Sequence, residues 1–470
     1  MSPEDRIAEL EAENAVQRDL IVRFEARIVE LERMLAKHSG NSSKPPSTDG
    51  TGPRPGRPKP AKRVKGQRRQ GKQPGAPGAH LAQTSVPDEV VDHLPEHCAA
   101  CGDGLGDAVV SGVETRQVFD LPVRRAHVVE HRAHRRQCGC GHHTTAGFPP
   151  DATAPACWGP GVRAVGVYLL VRHHLPYARV AEILSDLLGA PVSTGWLAGL
   201  TGEAADGLGS FVDGLKDHLS GVPVAHVDET GCRVAGAKQW VHVMSTALVT
   251  LLAVHTKRGN AATNEMGVLA RFRGVLVHDR WAPYWTYPKL SHQICNAHIL
   301  RDLAAVGEVH RYQTWAEQMT ALLVDAKHQC DQARHDDRPS LARGDRAKIT
   351  RRYNMLIAGF FDAHPLPPGG WRKGSYDRDA HNLAVALRDR RHEILRFVTN
   401  LTVPFDNNQA ERDLRMVKLQ QKISGSFRTE HGAQRFVNVR SYIETGRKHD
   451  HNPLDLLTQL FNGHPWTLPA

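Results

Sequence analysis

The chain has 470 residues, of which 40% are hydrophobic, and its formal net charge is +10. This length allows about three or four domains, and the composition is sufficient for at least one buried core. The N-terminus lacks the basic-then-apolar pattern of a secretory signal, and the longest apolar runs, such as 247–254, are far shorter than the ~20 residues that cross a membrane. We therefore expect a cytoplasmic protein with no membrane partner, in which the eight cysteines favour metal binding over disulfides.

A heptad repeat over residues 4–38 predicts a coiled-coil helix in residues 1–39. Asn14 lies on the predicted seam, where it would fix the register and favour a dimer. We expect a homodimer or higher oligomer through this helix; an amphipathic helix packed on its own protein is the alternative. The two seam positions are Ile7, Asn14, Ile21, Ile28 and Leu35, and Leu10, Gln17, Phe24 and Leu31.

Residues 40–84 form a basic linker rich in Pro and Gly. This composition cannot bury a core, so we predict a flexible tether. Its arginines, including Arg63, Arg68 and Arg69, are predicted to contact DNA phosphates without reading sequence, although a merely solvated linker has the same composition.

Two close cysteine pairs predict a zinc-binding module over residues 85–150. Zinc prefers four soft ligands in a tetrahedron, and a short turn can present two thiolates. The second pair has one intervening residue rather than two, so a neighbouring histidine could replace a ligand. The predicted ligands are Cys98, Cys101, Cys138 and Cys140, with His142 or His143 as the substitute; Cys157, Cys232 and Cys330 are interpreted as small buried residues.

Residues 155–212 have the pattern of three helices. Helices are expected over 162–174 and Tyr177–Leu188, and a third should begin at a Ser193 or Thr194 cap and extend through Leu200. A capped helix after a glycine-containing turn is typical of a DNA-binding helix-turn-helix, but many helical bundles share it.

An α/β region follows. Residues 213–300 predict strands that end at Asp228 and Asp279, with a helix over Asn264–Phe272 between them. Residues 301–385 are helical, polar and basic, which indicates an insertion, and residues 386–470 return to compact helices, including Asn408–Leu419. The predicted fold is a mixed α/β core interrupted by helices.

Carboxylates at strand ends suggest a metal site, because open sheets place ligands there. Asp228 and Asp279 could hold two Mg²⁺ or Mn²⁺ ions, which act on phosphodiesters as a pair and require a third carboxylate. Glu411, Arg415 and Lys418 lie at i, i+4 and i+7 of one helix, as expected for a metal ligand beside phosphate. From spacing alone, an ordinary surface ladder of ion pairs explains them equally well.

The chain resembles a DDE transposase of the insertion-sequence sixty-six family over nearly its whole length. The resemblance implies an RNase H-like catalytic core with a helical insertion, and a metal-binding triad of Asp228, Asp279 and Glu411. The matching segments are NSSKPPS (41–47), HVDETG (226–231), VLVHDRWAPY (275–284), CNAHILRDL (295–303), DNNQAERDLR (406–415), KISGSF (422–427) and ETGRKHDHNPLDLL (444–457).

Further residues follow from the same resemblance. Lys418 matches a basic position that such enzymes direct at DNA, and Arg415, Asn407 and Asn408 complete the predicted DNA-binding set around Glu411. Cys295 and His298 match a Cys-x-x-His pair found in many relatives, which we interpret as structural.

The predicted function is therefore metal-dependent cleavage at transposon ends followed by strand transfer into target DNA, at the bacterial nucleoid and with accessory transposition proteins as possible partners. One alternative is a non-catalytic zinc-containing DNA-binding protein derived from a transposase. Another is an RNase H-like nuclease acting on junctions or RNA–DNA hybrids, which would leave the dimerising helix and the separate DNA-binding regions unexplained.

Overall fold

The computed structural model describes residues 81–121 and 126–469, together with eight helical residues between 14 and 28. Among those eight, the predicted seam residues Ile21, Phe24 and Ile28 each expose more than half of their surface. The remainder of the predicted coiled coil lies outside the described residues, as does the basic linker with Arg63, Arg68 and Arg69. Both stay predictions.

The chain divides into two compact units, Gly56–Arg125 and the remainder. In the first, the described residues contain a single isolated bridge between His97 and Gly104 and side-chain bonds that tie Thr84 to Gln117. The second begins with a small antiparallel hairpin of β1 (Arg135–Gln137) and β2 (His143–Thr145). Residues 118–121 and 126–129 form no strand, although the segment from Val118 to Val129 alternates between apolar and polar residues.

A helical region precedes the main sheet. Its first predicted helix starts earlier than expected and changes to a π-helical turn, Tyr168–Arg172. The third is capped as predicted, because the Ser193 hydroxyl accepts a hydrogen bond from the Trp196 N–H at 3.1 Å, and it runs six residues past Leu200. The helices are α1 (Pro160–Val167), α2 (Tyr177–Leu188), α3 (Thr194–Asp206) and α4 (Gly209–Gly221).

The central sheet has five strands in the order β5-β4-β3-β6-β7. The first three form antiparallel hairpins, and β6 and β7 continue the sheet in parallel with β3. Ala235 and Gly236 connect β3 to β4 with φ values of 49° and 79°, as a tight hairpin turn requires. The strands are β3 (Val224–Val234), β4 (Ala237–Ser245), β5 (Thr250–His255), β6 (Val275–His278) and β7 (Ser291–Ile294).

The helix between β5 and β6 is shorter and earlier than predicted. Instead of Asn264–Phe272, the structure has α5 at Asn260–Glu265, followed by turns. Gly267 has a φ of 80°, and this left-handed conformation ends the helix before the predicted segment can continue it. Val268, Leu269 and Phe272 lie in these turns, and their side chains are buried in the core.

The predicted helical insertion follows β7 and has its own hydrophobic cluster. Tyr353 and Phe397 are fully buried there, and the Tyr353 hydroxyl donates to the Leu387 carbonyl at 2.8 Å. The insertion therefore stabilises itself rather than extending the sheet. Its helices are α6 (Asn296–Gly307), α7 (His310–His335), α8 (Arg343–Ala363), α9 (Tyr376–Asp389), α10 (Arg391–Ile394) and α11 (Arg396–Thr399).

Three helices close the core: α12 (Asn408–Ser424), α13 (Glu430–Lys448) and α14 (Pro453–Phe461). A buried polar cluster fixes the first two against the sheet. The Asp413 carboxylate pairs with the Lys448 ammonium at 2.9 Å and accepts from the Thr250 hydroxyl at 3.1 Å. None of the helices in the described part of the chain is both long and apolar enough to cross a membrane.

Candidate active site

Two of the predicted carboxylates lie on adjacent strands. The parallel pairing of β3 with β6 matches His226 to Val277, and the same offset continued by two residues brings Asp228 to Asp279. Asp279 follows β6 directly, as predicted. Asp228 does not end its strand, because β3 continues to Val234 by pairing with β4. It marks the end of the parallel part of β3, so the strand-end argument applies to the pairing with β6 only.

The carboxylates are held by backbone donors and repel one another. The Glu229 N–H donates to the Asp228 carboxylate at 2.8 Å, and the Trp281 N–H donates to the Asp279 carboxylate at 3.0 Å. Burial raises the pKa of Asp228 well above its ordinary value, and the charges of Glu229, Asp279 and Glu411 raise this pKa further. Such a concentration of negative charge is suited to a cation.

Glu411 lies in the first turn of α12, and its charge acts on Asp228. Its Oε1 atom lies 3.7 Å from the Arg301 guanidinium and 4.0 Å from His298 Nδ1. Both Glu411 Oε1 and His298 Nδ1 are buried and have no hydrogen-bond partner within the described part of the chain. Buried polar atoms normally have partners, so this pair of atoms is chemically available to a ligand.

Asn407 sets the position of that helix. Its amide donates to the Val227 carbonyl at 2.8 Å, its Oδ1 lies 3.0 Å from His226 Nδ1, and its N–H donates to Cys295 Sγ at 3.2 Å. The Asn296 N–H donates to the Phe405 carbonyl at 3.0 Å. These bonds join β3, the start of α6 and the start of α12, and so bring Glu411 to the sheet.

Cys295, His298 and Glu411 have ligand atoms that all lie within 4.8 Å of one another, a possible metal site. In the described residues, the oxygens of Asp228, Asp279 and Glu411 are not grouped this tightly. Burial raises the pKa of Cys295 to about 12, which favours a neutral thiol. His298 lies beside Glu411, a position that the structural interpretation of the Cys-x-x-His pair did not anticipate.

A buried ion-pair network is centred on Glu229, next to Asp228 in sequence, and it was not predicted from the sequence. The Glu229 carboxylate accepts from Arg258 Nε at 2.7 Å and from the Tyr284 hydroxyl at 2.6 Å, and the Arg258 guanidinium stacks 3.8 Å from the Trp281 ring centroid. This network joins β3 to the segment after Asp279. In the sequence, the network is indicated only by Glu229 in HVDETG and by the aromatic residues Trp281 and Tyr284 in VLVHDRWAPY.

The backbone is strained next to Asp279. Arg280 has a φ of 78°, in the left-handed region that non-glycine residues rarely adopt. Its N–H donates to His278 Nδ1 at 3.1 Å, and its guanidinium pairs with Asp302 on α6. Strain of this kind is often found at functional sites, and here both ends of the residue are anchored.

The predicted DNA-binding residues separate into two groups. Asn407 is fully buried with its amide bonded inside the core, so we reassign it as a positioning residue. Asn408 and Arg415 are exposed on α12. Lys418 is exposed as well, and its ammonium donates to the Gly231 carbonyl at 2.6 Å. These three stay predicted DNA contacts.

The cysteine pairs lie in different units, Cys98 and Cys101 in the first and Cys138 and Cys140 in the second. The pKa of Cys98 is lowered by hydrogen bonds from the backbone of Cys101 and Ala100, and that of Cys138 by the backbone of Cys140. Each turn thus favours a thiolate, as a zinc ligand requires.

Comparison with known families identifies the chain as a transposase. A family model described as "Transposase IS66 family" matches residues 156–435, more than half of the chain, so the chain belongs to this family. This confirms the resemblance drawn from the sequence motifs. A second model, a family of unknown function (DUF6444), matches residues 2–82. Comparison with curated proteins gave no match.

Proposed function

We propose that this protein cleaves DNA at the ends of its own mobile element and joins the freed 3′ ends to target DNA. One observation carries the proposal: the register of β3 with β6 sets Asp228 beside Asp279, and the hydrogen bonds of Asn407 join the start of α12, which carries Glu411, to β3. The strand order supports an RNase H-like core interrupted by the helical insertion, as the resemblance implied.

The donor set fits Mg²⁺ or Mn²⁺. Hard divalent cations prefer carboxylate oxygens, and Glu411 Oε1, which accepts no hydrogen bond from the described residues, is such a donor. When bound, a pair of these ions supplies an activated nucleophile and neutralises charge on the phosphodiester. We assign Asp228, Asp279 and Glu411 as the residues that would hold them.

The chain's own residues orient those carboxylates. Arg301 and His298 restrain Glu411, and the Trp281 N–H restrains Asp279. Arg415 and Lys418 place positive charge on the helix that carries Glu411, where it can align the DNA backbone. Alignment of the reacting groups is a large part of catalysis in phosphoryl transfer.

The remaining predictions belong to the same proposal. Cys98, Cys101, Cys138 and Cys140 would hold a structural zinc ion. The helix of residues 1–39 would make a homodimer or higher oligomer, and the basic linker would contact DNA at the bacterial nucleoid, with accessory transposition proteins as possible partners.

The test is cleavage of the element's ends in magnesium buffer by wild type, Glu411→Gln and Glu317→Gln. Glu317 is exposed on α7 in the insertion and serves as a matched control. We expect Glu411→Gln to lose cleavage by about 100-fold or more, the scale of removing one preorganised charged group, and to bind the ends normally. Glu317→Gln should cleave like wild type.

Each other outcome selects a different function. Cleavage by Glu411→Gln at the wild-type rate would refute the triad. If wild type binds the ends but never cuts them, the protein is the non-catalytic DNA-binding alternative. Cleavage without joining in a strand-transfer assay would indicate a nuclease.

A further inference from the structure

The helical insertion carries an arginine-lined groove that the proposed active site does not use. The groove has a volume of about 580 Å³ and follows α8 to the end of α11. Three of its lining residues are arginines and none is acidic. The polar residues that line it are Arg343, Arg346, Thr350, Arg351, Asn354 and Thr399.

The groove's positive charge is not neutralised by the protein. Among the described residues, Arg343, Arg346 and Arg351 form no ion pair, whereas Arg311 and Arg334 in the same insertion pair with aspartates. The nearest acid in sequence, at position 345, faces Lys348 at 3.6 Å instead.

One groove donor is also left without an acceptor. The Nε atom of Arg346 is buried and has no hydrogen-bond partner in the described part of the chain. A buried donor without a partner costs roughly 1–3 kcal/mol, and a bound ion is one explanation for such a group.

The arginines form a row rather than a cluster. Positions 343, 346, 350, 351 and 354 follow the i, i+3, i+7, i+8, i+11 spacing of one helical face. Arg343 and Arg351 are eight residues apart, about 12 Å along the axis at ~1.5 Å per residue. An extended row of cations suits a chain of phosphates better than a single phosphate group, which convergent arginines would bind.

We propose that this groove binds the phosphate backbone of DNA, outside the carboxylate site. The inference rests on the proposed function, which makes DNA the protein's substrate. Contacts of arginine with backbone phosphates carry little sequence information and fix the position of the duplex. The insertion therefore acts as a second DNA-holding surface rather than a spacer between the two parts of the core.

The test compares two double variants of α8 that remove equal charge. Arg343→Gln/Arg351→Gln empties the groove of two exposed arginines, and Lys348→Gln/Arg352→Gln removes two exposed cations from elsewhere on the helix. DNA binding is measured by fluorescence anisotropy with a duplex of about 30 base pairs across 50–200 mM salt, after thermal melts show that both variants fold.

We expect the groove variant to bind about tenfold more weakly or worse. The slope of log affinity against log salt should become shallower by up to about 1.8, at ~0.9 for each phosphate that the protein no longer neutralises. The matched variant should bind within about twofold of wild type and keep its slope.

Three results would overturn the inference. Equal weakening in both double variants would show an effect of net charge alone. Wild-type binding by the groove variant would remove the groove from the DNA surface while leaving the proposed function intact, whereas failure of wild type to bind DNA would refute both. Micromolar binding of inorganic phosphate that disappears in the groove variant would assign the groove to a single phosphate group.

Discussion

The region around the cysteine pairs and the region from α1 onward are built on opposite principles. None of the described residues between 81 and 149 is buried, and valines such as Val109 and Val118 are more than 90% exposed. From α1 onward, by contrast, one hydrophobic cluster extends through the helical region, the sheet and the closing helices. Burial of apolar surface therefore stabilises the second region and cannot stabilise the first, which needs another source of folding free energy.

The largest expected effect comes from removing the proposed zinc ion. Structural zinc contributes about 10–16 kcal/mol in small metal-binding peptides, so chelation or Cys98→Ser should unfold residues 81–149 and leave the core intact. Limited proteolysis with zinc analysis checks this: the cleavage sites that appear only after zinc removal should be confined to that segment, and the core should melt as before. Cys157→Ser is the control, because this isolated cysteine is exposed and not buried as predicted, whereas Cys232 and Cys330 are buried. Protein that purifies without zinc would contradict the prediction that zinc stabilises residues 81–149.

The core should respond most to loss of a buried charge partner. Lys448→Met leaves the Asp413 carboxylate buried without its cation, and breaking such a pair costs about 3–5 kcal/mol. Urea unfolding measures the loss. Lys348→Met breaks an exposed pair with Asp345 and should cost less than about 1 kcal/mol. Similar losses in the two variants would mean that burial does not strengthen the first pair.

Acid should destabilise the core through its buried histidines. Burial lowers the pKa of His174 to about 4, from 6.5, and this side chain is 1% exposed. As the pH falls below 6.5 the unfolded chain takes up the proton first, so stability declines until about pH 4, by roughly 3 kcal/mol for this group. His174→Gln should flatten the stability profile over that range, and exposed His431→Gln should not. Identical profiles for wild type and His174→Gln would count against this assignment.

The smallest effect tests local structure at the edge of the core. Ser193→Ala removes the hydroxyl that caps α3 and should cost about 1 kcal/mol. Calorimetry should show a lower melting temperature, while Ser210→Ala, in the first turn of α4, should melt near wild type. No difference between the two variants would show that the cap contributes nothing.

Local sequence patterns predicted which helices and strands form better than they predicted where these begin and end. Strands were predicted within residues 213–300 and are found there, and the bounds of α2 match the prediction. The short α5 departs from it because Gly267 has a positive φ, and the π-helical turn after α1 departs from it as well. The extension of β3 past Asp228 depends on pairing with β4, which strand composition alone does not specify.

Only part of the candidate site was predictable, because local patterns do not specify contacts between residues that are distant in sequence. Asp228 and Asp279 follow from strand patterns, whereas Glu411 depended on a resemblance, since helical spacing did not separate it from a surface ladder. The roles of Asn407 and Glu229 were not predictable from sequence, because each is defined by partners that are distant in sequence. Asn407 in particular is a polar residue of the kind usually found in exposed loops, but in the structure it is bonded inside the core.

The bond between the Asn296 N–H and the Phe405 carbonyl has an evolutionary consequence. The bond joins the residue where the chain leaves the sheet after β7 to the segment that leads into α12 and Glu411. The helices α6 to α11 therefore form a loop whose two ends are held together. Doubling the length of such a closed loop costs only about 0.6 kcal/mol in chain entropy. Relatives could therefore gain or lose helices in this segment while the geometry of the three carboxylates stays unchanged.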